Sequence, residues 1–125
     1  MKIRNQALIV LLGLCLGSLI PVVVVKAWMI SSQPKVEFGD FNQVVIDYGN
    51  ELVLFTKVSC QFCKLEKEYL HSNNIAFKEV SLDDNPKDHQ YFHELGEKGV
   101  PVLISSKKKL VGYNSSSLDK YFERE

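Results

Sequence analysis

The chain has 125 residues, enough for one domain and an appendage. Fifteen Lys and Arg balance fifteen Asp and Glu, but four of the basic residues precede position 36, so residues 36–125 carry a net charge of about −4. That balance, with no basic face interleaved with aromatics, argues against a nucleic-acid partner.

Residues 7–25, ALIVLLGLCLGSLIPVVVV, run nineteen positions without a charge. In a helix, a run of that length extends about 28 Å, close to the hydrocarbon thickness of a bilayer. Lys2 and Arg4 precede it, and Lys26 and Lys35 follow. Residues 1–30 are therefore expected to form a membrane anchor, a single transmembrane helix with Trp28 at the interface. The alternative is a cleaved signal peptide, with Val25 and Ala27 as the small residues of the cleavage site. The stretch exceeds the usual signal core of about 7–15 residues, which favours the anchor. Cys15 reads as a small apolar group within that helix. The N-terminal basic pair and the free amino group point inward, so the expected location is a single-pass membrane protein with a periplasmic or otherwise extracytoplasmic domain.

Residues 31–39 read as a polar tether containing Pro34, and residues 40–125 as the folded domain. Within it, DFNQVVIDYG predicts a short helix with Asp40 as N-cap, Phe41, Val44, Val45 and Tyr48 on one face, and Gly49 past its end. ELVLFT (51–56) is an apolar run suited to a buried strand. A helix over about 61–73 follows, from Phe62, Leu65, Tyr69 and Leu70, ended by Asn73 and Asn74. IAFKEVSLD (75–83) predicts a second strand, with Ile75, Phe77 and Val80 on the core side. Asn85-Pro86 opens another helix, which Gly96 or Gly99 closes. Residues 100–106 and 109–113 predict a hairpin, with Lys107, Lys108 and Lys109 as solvated charge near its turn. Ser115 to Ser117 cap a last helix carrying Leu118, Tyr121 and Phe122. A β-α-β unit followed by helix, hairpin and helix implies an α/β fold, a mixed four-stranded sheet flanked by helices.

The chemistry concentrates in TKVSCQFCK (56–64). A C-x-x-C at a strand-to-helix junction puts Cys60 at a helix N-terminus, where free N–H groups and the helix dipole favour a thiolate. Lys57 and Lys64 add positive charge. Cys60 is then the candidate nucleophile, and Cys63, one turn on, the thiol that resolves its mixed disulfide. Two other readings use the same pair. A structural disulfide closing so short a loop removes little chain entropy. A metal site needs further ligands, which His89 and His93 offer at helical spacing, although 25 residues separate His89 from Cys63. His71 reads, like those two, as a surface or partly packed residue.

VLFTKVSCQFCK, GVPVLI and LVGYNSSSLDKYF, in that order, resemble a glutaredoxin, a small member of the thioredoxin superfamily, over roughly residues 50–123. The resemblance matches Cys60-Gln61-Phe62-Cys63 to the family's C-P-Y-C and Gly99-Val100-Pro101 to its T-V-P. It implies a thioredoxin-like fold, a cis Pro101 facing the cysteines, and thiol–disulfide oxidoreductase activity on protein or glutathione-mixed disulfides. The substrate- or glutathione-binding positions it implies are Lys57, Gln61, Phe62, Val100, Pro101 and Gly112. Glutathione or a reductase would serve as electron donor, disulfide-containing proteins as substrates, and no bound cofactor is expected. Two departures stand out. Gly112-Tyr113 replaces the family's diglycine, putting a side chain where close approach is wanted. Gln61 replaces the proline after the first cysteine, which leaves as a rival a metal- or iron–sulfur-binding module using the same cysteines without turnover.

Overall fold

In the computed structural model, which describes residues 34–123, the elements run β1 (Lys35–Phe38), α1 (Asn42–Tyr48), β2 (Leu52–Thr56), α2 (Gln61–Ser72), β3 (Lys78–Ser81), α3 (Pro86–Glu94), β4 (Val102–Ser105), β5 (Lys108–Val111) and α4 (Ser115–Glu123). The strands form one mixed sheet in the order β1-β5-β4-β2-β3. Only β2 and β3 are parallel, joined by the crossover through α2; the other pairings are antiparallel.

Alternation along the central strands divides the interior in two. Val53 and Phe55 of β2, Val80 of β3, and Val102 and Ile104 of β4 face one side, where Val44 of α1 and Phe92 of α3 cover them. Leu52, Leu54, Leu103 and Leu110 face the other, under Leu70 of α2 and Leu118 and Tyr121 of α4. Because both faces are covered, β2 is buried at every position and reads as a continuous apolar run rather than an alternating one. Tyr48 donates to Asp88 Oδ1 at 2.8 Å and so ties α1 to α3.

Local signals set most helix ends. Asn85 caps α3 by accepting from Lys87 N, with Pro86 in the first turn. Gly49 ends α1 in the left-handed region, at φ 64°. At α1 the expected cap is displaced by one residue: Asp40 does accept from Asn42 N, but the cap position itself is Phe41. Asn114, rather than a serine, accepts from the Ser116 amide at the start of α4. In the second strand the phase is corrected. Val80 lies with the α1–α3 layer, whereas Ile75 and Phe77, of opposite parity, pack on the α2–α4 layer.

The sheet has five strands, not the expected four. The extra one is β1, drawn from the segment read as a tether, and the compact unit starts at Pro34. Its polar sequence hid it: β1 is an edge strand in which Val36 packs on the α2–α4 layer while Lys35 and Phe38 are exposed. Glu37 meets Lys109 Nζ at 3.0 Å.

The lysine run is not the solvated charge its sequence suggests. Lys107 is exposed, but Lys108 and Lys109 are only 5% and 6% exposed. Lys108 Nζ donates to the Tyr121 carbonyl and lies over the Tyr121 ring; Lys109 Nζ donates to Glu97 and pairs with Glu37. Burial works against the Lys109 charge, yet the hydrogen bonds to Glu97 and Glu37 prevail and raise its pKa.

The expected transmembrane helix is also corrected. No helix among the described residues is long and apolar enough to cross a membrane, and residues 7–25 lie outside the described residues. The single-pass membrane placement, with its extracytoplasmic domain and its membrane partner, is withdrawn with it.

Candidate active site

Strand β2 ends at Thr56, and the four residues after it carry the chain over the end of the sheet to Cys60. Two hydrogen bonds shape this crossing. The Val58 amide donates to Asp83 Oδ2 at 2.7 Å, and the Cys60 amide donates to the Lys57 carbonyl at 3.1 Å. Cys60 takes an extended conformation and caps α2, its Sγ accepting from the Cys63 amide at 3.1 Å. The sulfur therefore sits among the free N–H groups of the first turn, where negative charge is favoured.

Cys60 and Cys63 are joined in a disulfide, with Cα atoms 5.3 Å apart. Their environments differ. Cys60 is partly exposed, whereas Cys63 is 1% exposed. A reagent arriving from solvent meets Cys60 first.

The sheet register brings the remaining predicted residues to the same end. Phe55 opposes Val102 across β2 and β4; continuing that register sets Pro101 beside Thr56 and Val100 beside Lys57. The Val100–Pro101 peptide is cis, as the resemblance implied. Val102 opposes Val111 across β4 and β5, and the Gly112 amide donates to the Pro101 carbonyl at 2.9 Å. Gly112 has φ 82°, a left-handed conformation that favours glycine on backbone grounds, while a Cβ there would make only an ordinary contact, 3.6 Å from Pro34 Cα.

Tyr113 follows and reaches across to α2. Its ring stacks on Phe62, centroids 6.3 Å apart and planes 24° from parallel. Phe62 is 59% exposed and Val58 72%, so an apolar surface borders Cys60. Gln61 is exposed beside Phe62. On the β3 side lies a cleft of about 440 Å³, lined by Thr56, Lys57, Val58, Lys64, Lys67, Glu79, Ser81 and Asp84. Lys67 is bound to Glu79 at 2.8 Å. Among the described residues, neither Lys57 nor Lys64 has an ion-pair partner, which leaves their charge available to an anion.

Sequence reasoning missed three contributors. Asp83 could have been suspected only from its distance beyond a parallel strand. Tyr113 was noticed as a departure but not as a partner of Phe62. Glu66, on the inward face of α2 one turn after Cys63, is wholly buried, and neither carboxylate oxygen has a hydrogen-bond partner. Burial pushes its pKa up to about 8. The histidines, by contrast, do not join the cysteines. His89 and His93 lie 4.7 Å apart, ring to ring, on α3, which packs on the opposite face of the sheet from α2. Among the described residues no cluster of three or more His, Cys, Asp or Glu is placed to hold a metal.

The glutaredoxin family model matches residues 52–110. A glutaredoxin-like 8.6 kDa protein from the rubredoxin operon of Clostridium pasteurianum is 35% identical over 72 residues, 57% of this chain and 96% of that relative. The chain belongs to the glutaredoxin-like proteins. Glutaredoxin-like protein NrdH of Lactococcus lactis is 29% identical over 69 residues, covering 55% of this chain and 96% of the relative. The fold is that of the glutaredoxin-like NrdH-redoxin of Escherichia coli, at a TM-score of 0.51 and 17% identity over 55% of this chain and 91% of that one. Both NrdH proteins and the Clostridium relative have almost nothing beyond the matched stretch. This glutaredoxin-like chain is thus a thioredoxin-superfamily protein with a disulfide-bonded Cys60–Cys63 pair at the helix start.

Proposed function

We propose that the chain is a thiol–disulfide oxidoreductase that reduces disulfides in proteins, with Cys60 as nucleophile and Cys63 as resolving thiol. The observation that carries this reading is the asymmetry of the pair: a partly exposed Cys60 whose sulfur accepts a first-turn N–H, bonded to a buried Cys63. Cys60 thiolate attacks a substrate disulfide, Cys63 displaces the substrate from the mixed disulfide, and the pair leaves oxidised. Lys57 and Lys64 favour the Cys60 thiolate and any anionic group docking in the cleft. The backbone of Val100, just before the cis Pro101, offers a strand-like edge near the cysteines. Gln61, Phe62 and Gly112 complete the docking surface.

The donor we favour is a protein dithiol rather than glutathione. The exposed apolar rim of Val58 and Phe62 suits a protein surface. The Phe62–Tyr113 stack also lies next to Gly112, where the resemblance places an open diglycine. The E. coli relative, described as having a thioredoxin-like activity profile, supports the same choice.

The test is reduction of a protein disulfide by the full chain, supplied with either a dithiol reductase or glutathione. Cys60→Ser should abolish turnover with both, and Cys63→Ser should retain only the reduction of glutathione-mixed disulfides, which a single thiol performs. Turnover by Cys60→Ser equal to wild type would remove the mechanism, and faster turnover with glutathione would reverse the choice of donor.

A further inference from the structure

Glu66 is the one acid among the described residues that is fully buried with both oxygens unpartnered. Leaving a carboxyl unpaired inside a protein costs several kcal/mol where nothing compensates. Among the described residues no charged neighbour offsets this; burial alone acts on Glu66. Three ionisable groups of the surrounding elements are engaged elsewhere. Glu79 of β3 is held by Lys67 and Thr56, Asp119 of α4 by Tyr69, and Lys108 of β5 by the Tyr121 carbonyl.

Its position explains what it could meet. Residues three apart on a helix have Cβ atoms about 5–6 Å apart, and helical side chains lean toward the N-terminus. Glu66 therefore leans over the turn that carries Cys63, three residues earlier and equally buried. In the oxidised pair Cys63 has no proton to give. On reduction an S–H appears in that same interior. Cys63 is 1% and Glu66 0% exposed, so the proton of the buried thiol has little direct contact with solvent.

We propose that Glu66 is the proton acceptor and donor for Cys63. This rests on the dithiol reading above and adds the residue that lets the second step run. The Cys60 thiolate attacks a substrate disulfide R–S–S–R′, forms the Cys60–S–S–R bond and expels R′–S⁻, which takes a proton from water. Cys63 then attacks Cys60 Sγ. Its S–H proton passes to the Glu66 carboxylate, the Cys60–Cys63 bond forms, and R–S⁻ leaves and is protonated from solvent. Two electrons have moved from the dithiol to the substrate. When a donor dithiol restores the pair, Cys63 leaves as thiolate and the Glu66 carboxyl returns the proton to it. A carboxyl lifted to about 8 matches a thiol near its ordinary value of about 8.5, so transfer in either direction is close to level.

The experiment starts from the full chain carrying a preformed mixed disulfide between Cys60 and a small aromatic thiol whose release is seen by absorbance. The wild-type release rate should rise with pH and level off near 8. In Glu66→Gln it should fall roughly a hundredfold at neutral pH, the lower end of what positioned proton transfer contributes. It should then keep climbing beyond about pH 9, as an unaided thiol ionises. Should that variant not fold, Glu66→Leu, which removes the buried polar group, takes its place. An infrared difference spectrum between oxidised and reduced protein gives a second readout. It should contain a protonated-carboxyl band that the Glu66 variant lacks, a change that mere packing would not produce. Equal rates and equal pH profiles in wild type and variant, or a spectrum without that band, overturn the role of Glu66 and leave the dithiol mechanism standing. A wild-type mixed disulfide that never resolves overturns both.

Discussion

Glu66 inverts the ordinary relation between a carboxylate and pH. Most acids in folded proteins are held below their unfolded values and add stability as pH rises. Burial instead raises Glu66 from 4.5 to about 8. Between those values the folded chain keeps a proton that the unfolded chain has lost. Its contribution to stability should therefore fall with rising pH, by up to about 1.4 kcal/mol per pH unit, and flatten above about 8. Denaturant unfolding across that range should show the decline in wild type and its loss in Glu66→Leu; a parallel decline in the variant would assign it to other groups. Lys109 is the opposite case, a buried charge that is satisfied. Replacing it with alanine leaves Glu97, only 9% exposed, without its partner, so Lys109→Ala should destabilise the domain by about 3 kcal/mol, within the range for breaking buried pairs. Loss below about 1 kcal/mol in chemical denaturation would mean that Glu97 finds water instead. Neither residue could be read correctly from its neighbours in sequence. Lys108 and Lys109 sit in a lysine run, and only partners 12 or more residues away take them inside. Glu66 follows the inward spacing of Cys63 and Leu70, yet its charge argues for the outside.

At the level of elements, the legible ones were those whose signals are local. Helix α3 is the plainest, with Asn85 accepting from Lys87 N and Pro86 opening the first turn. Asn85→Ala should cost about 1 kcal/mol, a drop of roughly 4–8 °C in melting temperature for a domain of this size; no measurable shift would show that packing of Phe92 and Tyr91 alone holds that end. Strand β2 and helix α2 were readable for the same reason, since an apolar run stops at Thr56 and an amphipathic period begins at Gln61. Strand β1 was not. Its pairing partner is β5, seventy or more positions along the chain, and its residues are too polar for an apolar run to announce it. The reversed phase of β3 has a similar origin. Four residues of strand, Lys78–Ser81, are too few to fix parity against the flanking Ile75 and Phe77.

Across the whole domain, the site is a product of topology. The parallel β2–β3 pair and the antiparallel β2–β4 pair both end beside the loop to Cys60, which gathers Lys57, Pro101, Gly112 and Tyr113, next to the ends of β2, β4 and β5, at one sheet end. The C-x-x-C and the Val-Pro were visible as motifs because each carries its own chemistry. The Phe62–Tyr113 stack and the Asp83 brace on Val58 were not, because only the fold brings those residues together. The central claim is that Cys60 and Cys63 work as a reversible dithiol. The most direct test equilibrates the full chain in glutathione redox buffers, traps free thiols by alkylation and weighs the products. The account predicts one two-electron transition between dithiol and Cys60–Cys63 disulfide, at a potential between about −200 and −270 mV, the range spanned by glutaredoxins and thioredoxin. Two thiols that never pair under oxidising conditions, or that arrive masked by bound metal, would contradict it.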